Sequence, residues 1–175
     1  MKVADFNRLT AAEAGAVLVS CCGASRWVDG MLAGRPYAGM GELLDRSERV
    51  WRDCGPADWE EAFSHHPRIG ETGAAAPVAD AARRWSAAEQ GAVATADAEV
   101  RRALADANRE YEQRFGRIYI VCARGRGPED LLRDLRGRLA NSPERELARS
   151  AAEQGNITRQ RLGRLFADEG ADDVP

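Results

Sequence analysis

The sequence has almost no lysine, because Lys2 is the single lysine among its 25 basic residues. Enzymes that form a Schiff base with a substrate or with pyridoxal phosphate need a lysine as the nucleophile. We therefore expect no chemistry of that class. Arginine supplies the other positive charges, and a formal net charge of −3 leaves no basic surplus that would indicate nucleic acid or an anionic membrane as a partner.

Histidine and cysteine are also scarce, with two and four residues respectively. The cysteines are Cys21, Cys22, Cys54 and Cys122, two of them adjacent and none in a C-x-x-C pattern. This arrangement favours free thiols in a reducing compartment over a disulfide framework. It also makes a poor set of zinc ligands, so we expect no metal site.

Long apolar runs are missing as well. No stretch approaches the roughly 20 apolar residues that a transmembrane helix needs, and the N-terminus shows no charged segment followed by an apolar one. We expect a cytoplasmic protein that does not enter a membrane. With 175 residues, of which 44% are hydrophobic and 30% charged, the chain has the balance of one globular domain.

Helical patterns fill most of the chain. Thr10 and Glu13 form a capping box before an apolar segment, and Pro56 suits the first turn of a helix. Pro67 predicts that this helix ends near His66. The longest helix is expected over roughly 87–114. The pattern predicts an all-α, single-domain bundle of roughly seven to nine helices over residues 1–168, with an acidic tail at 169–175.

One segment, "RIYIVCARG", is the only β-like run in the sequence. It combines β-branched and aromatic residues, which are typical of strands. A single strand has no partner with which to form a sheet. We therefore predict an extended, buried connector at this point of the helical fold.

His65 and His66 are the only histidines, and they stand side by side in "SHHPRIGE". Neighbours on a helix point about 100° apart, so the two imidazoles cannot share one task. In one interpretation both are structural. In the other, the end of the helix presents one imidazole into a cleft, where histidine is the usual side chain for proton transfer near neutral pH.

Ser86 and Glu89 form a second capping box, which has an ordinary structural explanation. The same helix N-terminus would also suit an anionic or carbonyl-bearing ligand, and Glu89 could accept N–H bonds from a urea-like group. Arg161 is one of many arginines and fits a solvated helix face. Arg68 fits a local salt bridge.

Three motifs in this order resemble one known family. "HHPRIGE", "WSAAEQ" and the long segment from "YEQRFGRIYIVCARG" to "NITRQRL" are similar to the decarboxylases of 2-oxo-4-hydroxy-4-carboxy-5-ureidoimidazoline (OHCU), which produce (S)-allantoin during urate breakdown. The resemblance extends from "FNRLTAAEA" through the last helix. It rests on the order and spacing of the motifs.

The resemblance implies an all-helical fold that needs no cofactor, acts on a small ureide and usually forms a homodimer. It implies that His66, Glu89 and Arg161 are catalytic, with Arg159 as an alternative register for the arginine. The residues that it implies for substrate binding are Pro67, Ser86, Gln90, Tyr119, Ile120, Val121, Cys122 and Ala123, the last five through their backbone.

Two alternative functions belong to other classes. A ureide hydrolase would use the same histidine and glutamate to activate water and would release no CO₂. A helical binding module would keep the histidines for structure and would ignore ureides.

Overall fold

The computed structural model describes residues 1–68 and 98–167. Within these residues the chain forms eight α-helices and no strand, which confirms the all-α prediction. The predicted helix start near residue 87 and the tail at 169–175 lie outside the described residues. The helices are α1 (Val3–Arg8), α2 (Ala11–Cys21), α3 (Ser25–Leu32), α4 (Met40–Arg52), α5 (Pro56–Ser64), α6 (Ala98–Phe115), α7 (Pro128–Arg138) and α8 (Pro143–Leu165).

Local signals in the sequence set several helix ends. Thr10 and Glu13 form the predicted capping box, in which the Glu13 N–H donates to Thr10 Oγ1 at 3.3 Å and the Thr10 N–H donates to Glu13 Oε2 at 2.9 Å. Pro56 opens α5 as predicted. α5 ends at Ser64, two residues before the predicted end near His66, and the chain turns ahead of Pro67.

The chain divides into two compact units. The first unit comprises Met1–Ser64 and Gly155–Pro175. Its described part holds α1 to α5 and the end of α8, and its core is mainly apolar. Fully buried side chains of this core include Phe6, Leu18, Trp27, Met31 and Leu43.

The second unit comprises His65–Gln154. Its described part holds α6, α7 and the beginning of α8. α6 and α7 pack against each other around Leu104, Tyr111, Leu131 and Leu135, and the segment between these two helices adds buried side chains to the same core. That residues 1–168 form one domain stays a prediction.

None of the helices in the described part of the chain is both long enough and apolar enough to cross a membrane.

Candidate active site

The turn after α5 carries both histidines. His65 is exposed, whereas His66 and Pro67 are half-buried. The two imidazoles therefore differ in their surroundings, as expected for neighbours at a helix end. His66 is the one that the protein partly covers.

Arg68 ties the end of this turn to α6. Its Nε donates to Glu112 Oε1 at 2.6 Å and its Nη2 donates to Glu112 Oε2 at 2.9 Å. The local salt bridge expected for Arg68 is therefore a bidentate bond to a residue far along the chain. Since both side chains are partly exposed, the pair adds at most about 1 kcal/mol of stability. The pair joins the residue that follows Pro67 to α6.

The segment between α6 and α7 is the predicted buried connector. No helix or strand is assigned between Phe115 and Pro128. Tyr119, Ile120, Val121 and Ala123 are buried and Cys122 is half-buried. At its start, Gly116 has a φ of 68°, a left-handed conformation that a glycine adopts without steric cost and that ends α6.

A buried guanidinium holds this connector. Arg138 Nη1 donates to the carbonyl of Ile120 at 2.8 Å, while its Nε donates to Glu146 Oε1 at 2.7 Å and its Nη2 donates to Ser150 Oγ at 3.0 Å. The hydroxyl of Tyr111 also donates to Glu146 Oε1. Hydrogen bonds with a charged partner are the stronger kind, and here the carboxylate and the guanidinium satisfy each other inside the core.

A second buried charge holds the connector two residues later. The N–H of Cys122 donates to Glu153 Oε2 at 2.9 Å, and Arg149 pairs with the other oxygen of that carboxylate at 2.7 Å. The hydroxyl of Tyr119 donates to Asp134 Oδ2. Polar side chains from α7 and α8 thus fix both the backbone and one aromatic ring of the run.

The buried phenols remain protonated hydrogen-bond donors. Burial, together with the hydrogen bond to Glu146, raises the pKa of Tyr111 to about 12. Burial and the bond to Asp134 raise the pKa of Tyr119 further. Burial on its own lowers the pKa of Arg138, but the hydrogen bond to Glu146 and the electrostatic interactions with Glu146, Tyr111 and Tyr119 together outweigh it, and the pKa is raised. Arg138 is therefore a permanent cation at physiological pH.

Sequence reasoning missed this group of residues. Arg138 was one arginine among many, and Glu146 lies in the first turn of α8, where acidic residues are ordinary. A signal was nevertheless present. Glu146, Ser150 and Glu153 are spaced four and three residues apart, so they share one face of α8, and that face is buried.

Arg161 and its alternative differ sharply in exposure. Arg161 is 5% exposed, and its Nη1 lies 3.4 Å from the carbonyl oxygen of Cys21. The Arg159 side chain is 56% exposed and forms an ion pair with Glu48. The solvated helix face expected for Arg161 is therefore wrong, because the side chain is buried in the first unit.

The predicted site residues fall in both units. His66, Pro67 and the run from Tyr119 to Ala123 belong to the second unit, and Arg161 belongs to the first. Ser86, Glu89 and Gln90 lie outside the described residues, and the roles of the whole set stay a prediction. In residues 1–68 and 98–167, no three His, Cys, Asp or Glu side chains group as metal ligands would.

Sequence comparison places this architecture among known proteins. A family profile described as OHCU decarboxylase matches residues 7–163. The "Uric acid degradation bifunctional protein TTL" of Arabidopsis thaliana is 37% identical over 150 residues, which are 85% of this chain and 46% of that protein. The chain therefore spans about half the length of that curated relative.

Comparison of structures agrees. A crystal structure of OHCU decarboxylase in the presence of (S)-allantoin superposes with a TM-score of 0.73 and 34% identity, over 86% of this chain and 96% of that one. A crystal structure of (S)-allantoin synthase shares the fold, with a TM-score of 0.62 and 17% identity over 93% of this chain and 53% of that one. Since the family profile spans most of the sequence, the chain belongs to the OHCU decarboxylase family.

Proposed function

We propose that this protein decarboxylates OHCU to (S)-allantoin in urate degradation, as a carboxy-lyase that needs no cofactor. The main support for this proposal is the agreement of two matches. The family match over residues 7–163 coincides with a structural likeness over 96% of an OHCU decarboxylase crystallised in the presence of (S)-allantoin. A match of this extent includes the motif around His66 and the extended run.

The substrate brings its own electron sink. Its carboxylate and a hydroxyl share one ring carbon, beside conjugated C=O or C=N groups. When the bond from that carbon to the carboxylate breaks, CO₂ leaves and the electron pair spreads into the conjugated system. A proton then returns to the ring carbon. The protein has to bind the substrate, orient it and move protons.

His66 is the proposed acid–base group. It would polarise the hydroxyl beside the carboxylate, and it is the candidate donor of the proton that sets the S configuration. Its half-buried position supports this role, as does the bond from Arg68 to Glu112, which steadies the neighbouring backbone. General acid–base catalysis typically contributes ~10²–10⁴-fold.

Two further side chains would hold the substrate. Arg161 would contact its anionic or carbonyl end through the planar guanidinium, and the burial of Arg161 supports this register over the exposed Arg159. Glu89 would accept N–H bonds from the ureido or ring amides. Pro67, Ser86 and Gln90 would complete the pocket, and the run from Tyr119 to Ala123 would contribute backbone contacts.

The assembly and the location are part of the same proposal. The protein would work as a cytoplasmic homodimer on a small ureide, with neither nucleic acid nor a membrane as partner. The net charge of −3 and the family resemblance support this interpretation. Light scattering coupled to size-exclusion chromatography tests the dimer, and a monomeric mass at assay concentration would contradict it.

The release of CO₂ tests the reaction. OHCU is generated in situ from urate with urate oxidase and hydroxyisourate hydrolase, and CO₂ is followed with and without this protein. The proposal predicts rapid CO₂ release that scales with protein concentration. Consumption of OHCU without extra CO₂ would indicate a ureide hydrolase instead, and an unchanged spontaneous decay would indicate a non-catalytic module.

A further inference from the structure

Two buried charges hold alternate residues of the extended run. Arg138 donates to the carbonyl of Ile120, and Glu153 accepts from the N–H of Cys122, at 2.8 and 2.9 Å. Arg138 and Glu153 are each 4% exposed. In an extended chain the N–H and C=O of one residue point to the same side, and those of the next residue point to the other. The two contacts therefore mark a single edge of the run.

The backbone N–H and C=O of Val121 lie on the opposite edge of the run. This residue is 5% exposed, and no hydrogen bond within residues 1–68 and 98–167 engages its N–H or its C=O. Well over nine in ten buried backbone groups in proteins have a partner, so a buried residue whose N–H and C=O both lack one within the described part of the chain is unusual. A ligand with complementary groups would remove that deficit.

A ureide has the complementary groups. Its ureido and ring amides carry N–H donors next to C=O acceptors, the same pair that a neighbouring strand would offer to one edge of a peptide chain. We propose that Arg138 and Glu153 are positioning residues for the ureide. They occupy the carbonyl of Ile120 and the N–H of Cys122 on one edge of the run. The N–H and C=O of Val121, on the other edge, are thereby held toward the substrate. This inference rests on the proposed function.

The use of full charges fits a positioning role. A buried ion pair stabilises a fold no better than well-packed apolar side chains do. Stability alone therefore does not explain the bond between Arg138 and Glu146. A charged partner does, however, bind a backbone group in one geometry. Arg138 is itself fixed by Glu146 and Ser150, and Glu153 by Arg149. Each backbone contact is thus made by a side chain that is already oriented.

Variants of Glu153 separate the backbone contact from the ion pair. Glu153→Asp withdraws the carboxylate from the N–H of Cys122 by one methylene but keeps the charge. Glu153→Gln keeps an acceptor at the original length and gives up the charge. Arg149→Gln, the matched control, removes the ion pair and leaves Glu153 in place. We measure kcat and KM for OHCU and the Kd of (S)-allantoin, with the thermal midpoint as a check of folding.

The expected result is a selective loss of binding. Glu153→Asp should raise KM and Kd about tenfold, the usual scale for one hydrogen bond with a charged partner, while kcat changes little. Glu153→Gln keeps an acceptor without the charge, and Arg149→Gln removes one of the groups that orient Glu153, so each should raise the two constants less than Glu153→Asp does. An unchanged KM in Glu153→Asp would overturn the inference, and so would an equal loss in all three variants, which would point to the ion pair instead.

A measurement without variants covers the case in which Glu153→Asp fails to fold. In ¹H–¹⁵N spectra, saturation with (S)-allantoin should shift the amide proton of Val121 downfield and leave that of Cys122 nearly in place. A Val121 amide that does not respond would contradict the inference. The failure of the proposed function is recognised separately, because the unchanged protein would then release no CO₂ from OHCU.

Discussion

The core of the first unit is mainly apolar around Phe6 and Trp27, whereas the core of the second surrounds the guanidinium of Arg138 and its bond to Glu146. Removing charges from water is costly, and a core built for stability alone has no use for them. In the second unit the charged side chains end on the backbone of the extended run. The second unit thus uses buried charged groups to hold an irregular segment, whereas the regular helices of the first unit pack mainly through apolar side chains.

The largest expected effect concerns the proton-transfer group that we place in the second unit. His66→Asn should lower kcat for OHCU at least about 100-fold, because acid–base catalysis contributes on that scale or more. The thermal midpoint should change little, since His66 lies in a turn and is only half-buried. Stopped-flow release of CO₂ measures the rate.

His65→Asn is the matched control, because it makes the same chemical change one residue away at an exposed position. It should keep most of the activity. Near-normal turnover in His66→Asn, or equal losses in the two variants, would remove His66 from the mechanism.

The next effect tests the buried ion pair of the second unit. Arg138→Met leaves the fully buried Glu146 without its cation, and breaking a buried pair in this way costs about 3–5 kcal/mol of unfolding free energy. The double variant Arg138→Met/Glu146→Leu should regain most of that stability but not the binding of (S)-allantoin. Urea unfolding and calorimetric titration provide the two measurements.

Arg133→Ala is the control for that series. Its ion pair with Asp130 is exposed, because 76% of the Arg133 side chain is accessible to solvent. The free energy of unfolding should therefore fall by less than about 1 kcal/mol. If Arg138→Met costs no more than Arg133→Ala, the two cores do not differ as described.

A smaller effect tests the close packing of the first unit. A Cβ added to Gly30 in α3 would lie 2.5 Å from Cγ1 of Val50 in α4, so Gly30→Ala should lower the free energy of unfolding by about 1–3 kcal/mol. Gly163→Ala is the control, because a Cβ at that position meets nothing within 4 Å. This substitution should raise the free energy of unfolding by up to about 1 kcal/mol. Equal effects in the two variants would contradict the packing of α3 against α4.

The smallest effect distinguishes the units by pH. Burial raises the pKa of Cys21 to about 11 and that of Cys22 to about 12, whereas an unfolded thiol ionises at about 8.5. A raised pKa in the folded state contributes stability that is complete below the unfolded pKa and is lost as the pH rises toward the folded value. The first unit should therefore begin to lose stability near pH 9, and the second only above about pH 10, where an unfolded tyrosine ionises.

The urea midpoints of unfolding at pH 8 and at pH 9.5 measure the contribution of the buried thiols. They should fall with rising pH in the unchanged protein and fall less in Cys22→Ala, which has one thiol fewer to ionise on unfolding. A midpoint that falls equally in both proteins would contradict a contribution from Cys22.

The sequence predicted what depends on near neighbours. The capping box of Thr10 and Glu13, the helix start at Pro56 and the turn before Pro67 follow from residues a few positions apart, and all three are present. The buried connector was also predictable, because a lone β-like run in a helical chain has no second strand with which to form a sheet.

What depends on distant residues was not predictable. The bonds from Arg138 to Ile120 and from Glu153 to Cys122 join residues 18 and 31 positions apart. The spacing on α8 puts Glu153 on one face with Glu146, but nothing local shows that this face is buried. Arg68 shows the same limit, since its partner Glu112 is 44 positions away. The burial of Arg161 likewise depends on how α8 packs in the first unit. The role of Glu89 stays a prediction.

The configuration of the product gives the sharpest test of decarboxylation by this protein. OHCU generated from urate in the presence of this protein should give a solution whose circular dichroism grows to the full signal of (S)-allantoin, because a proton delivered from one side sets a single configuration. A racemic product that forms at the spontaneous rate would contradict decarboxylation at this site.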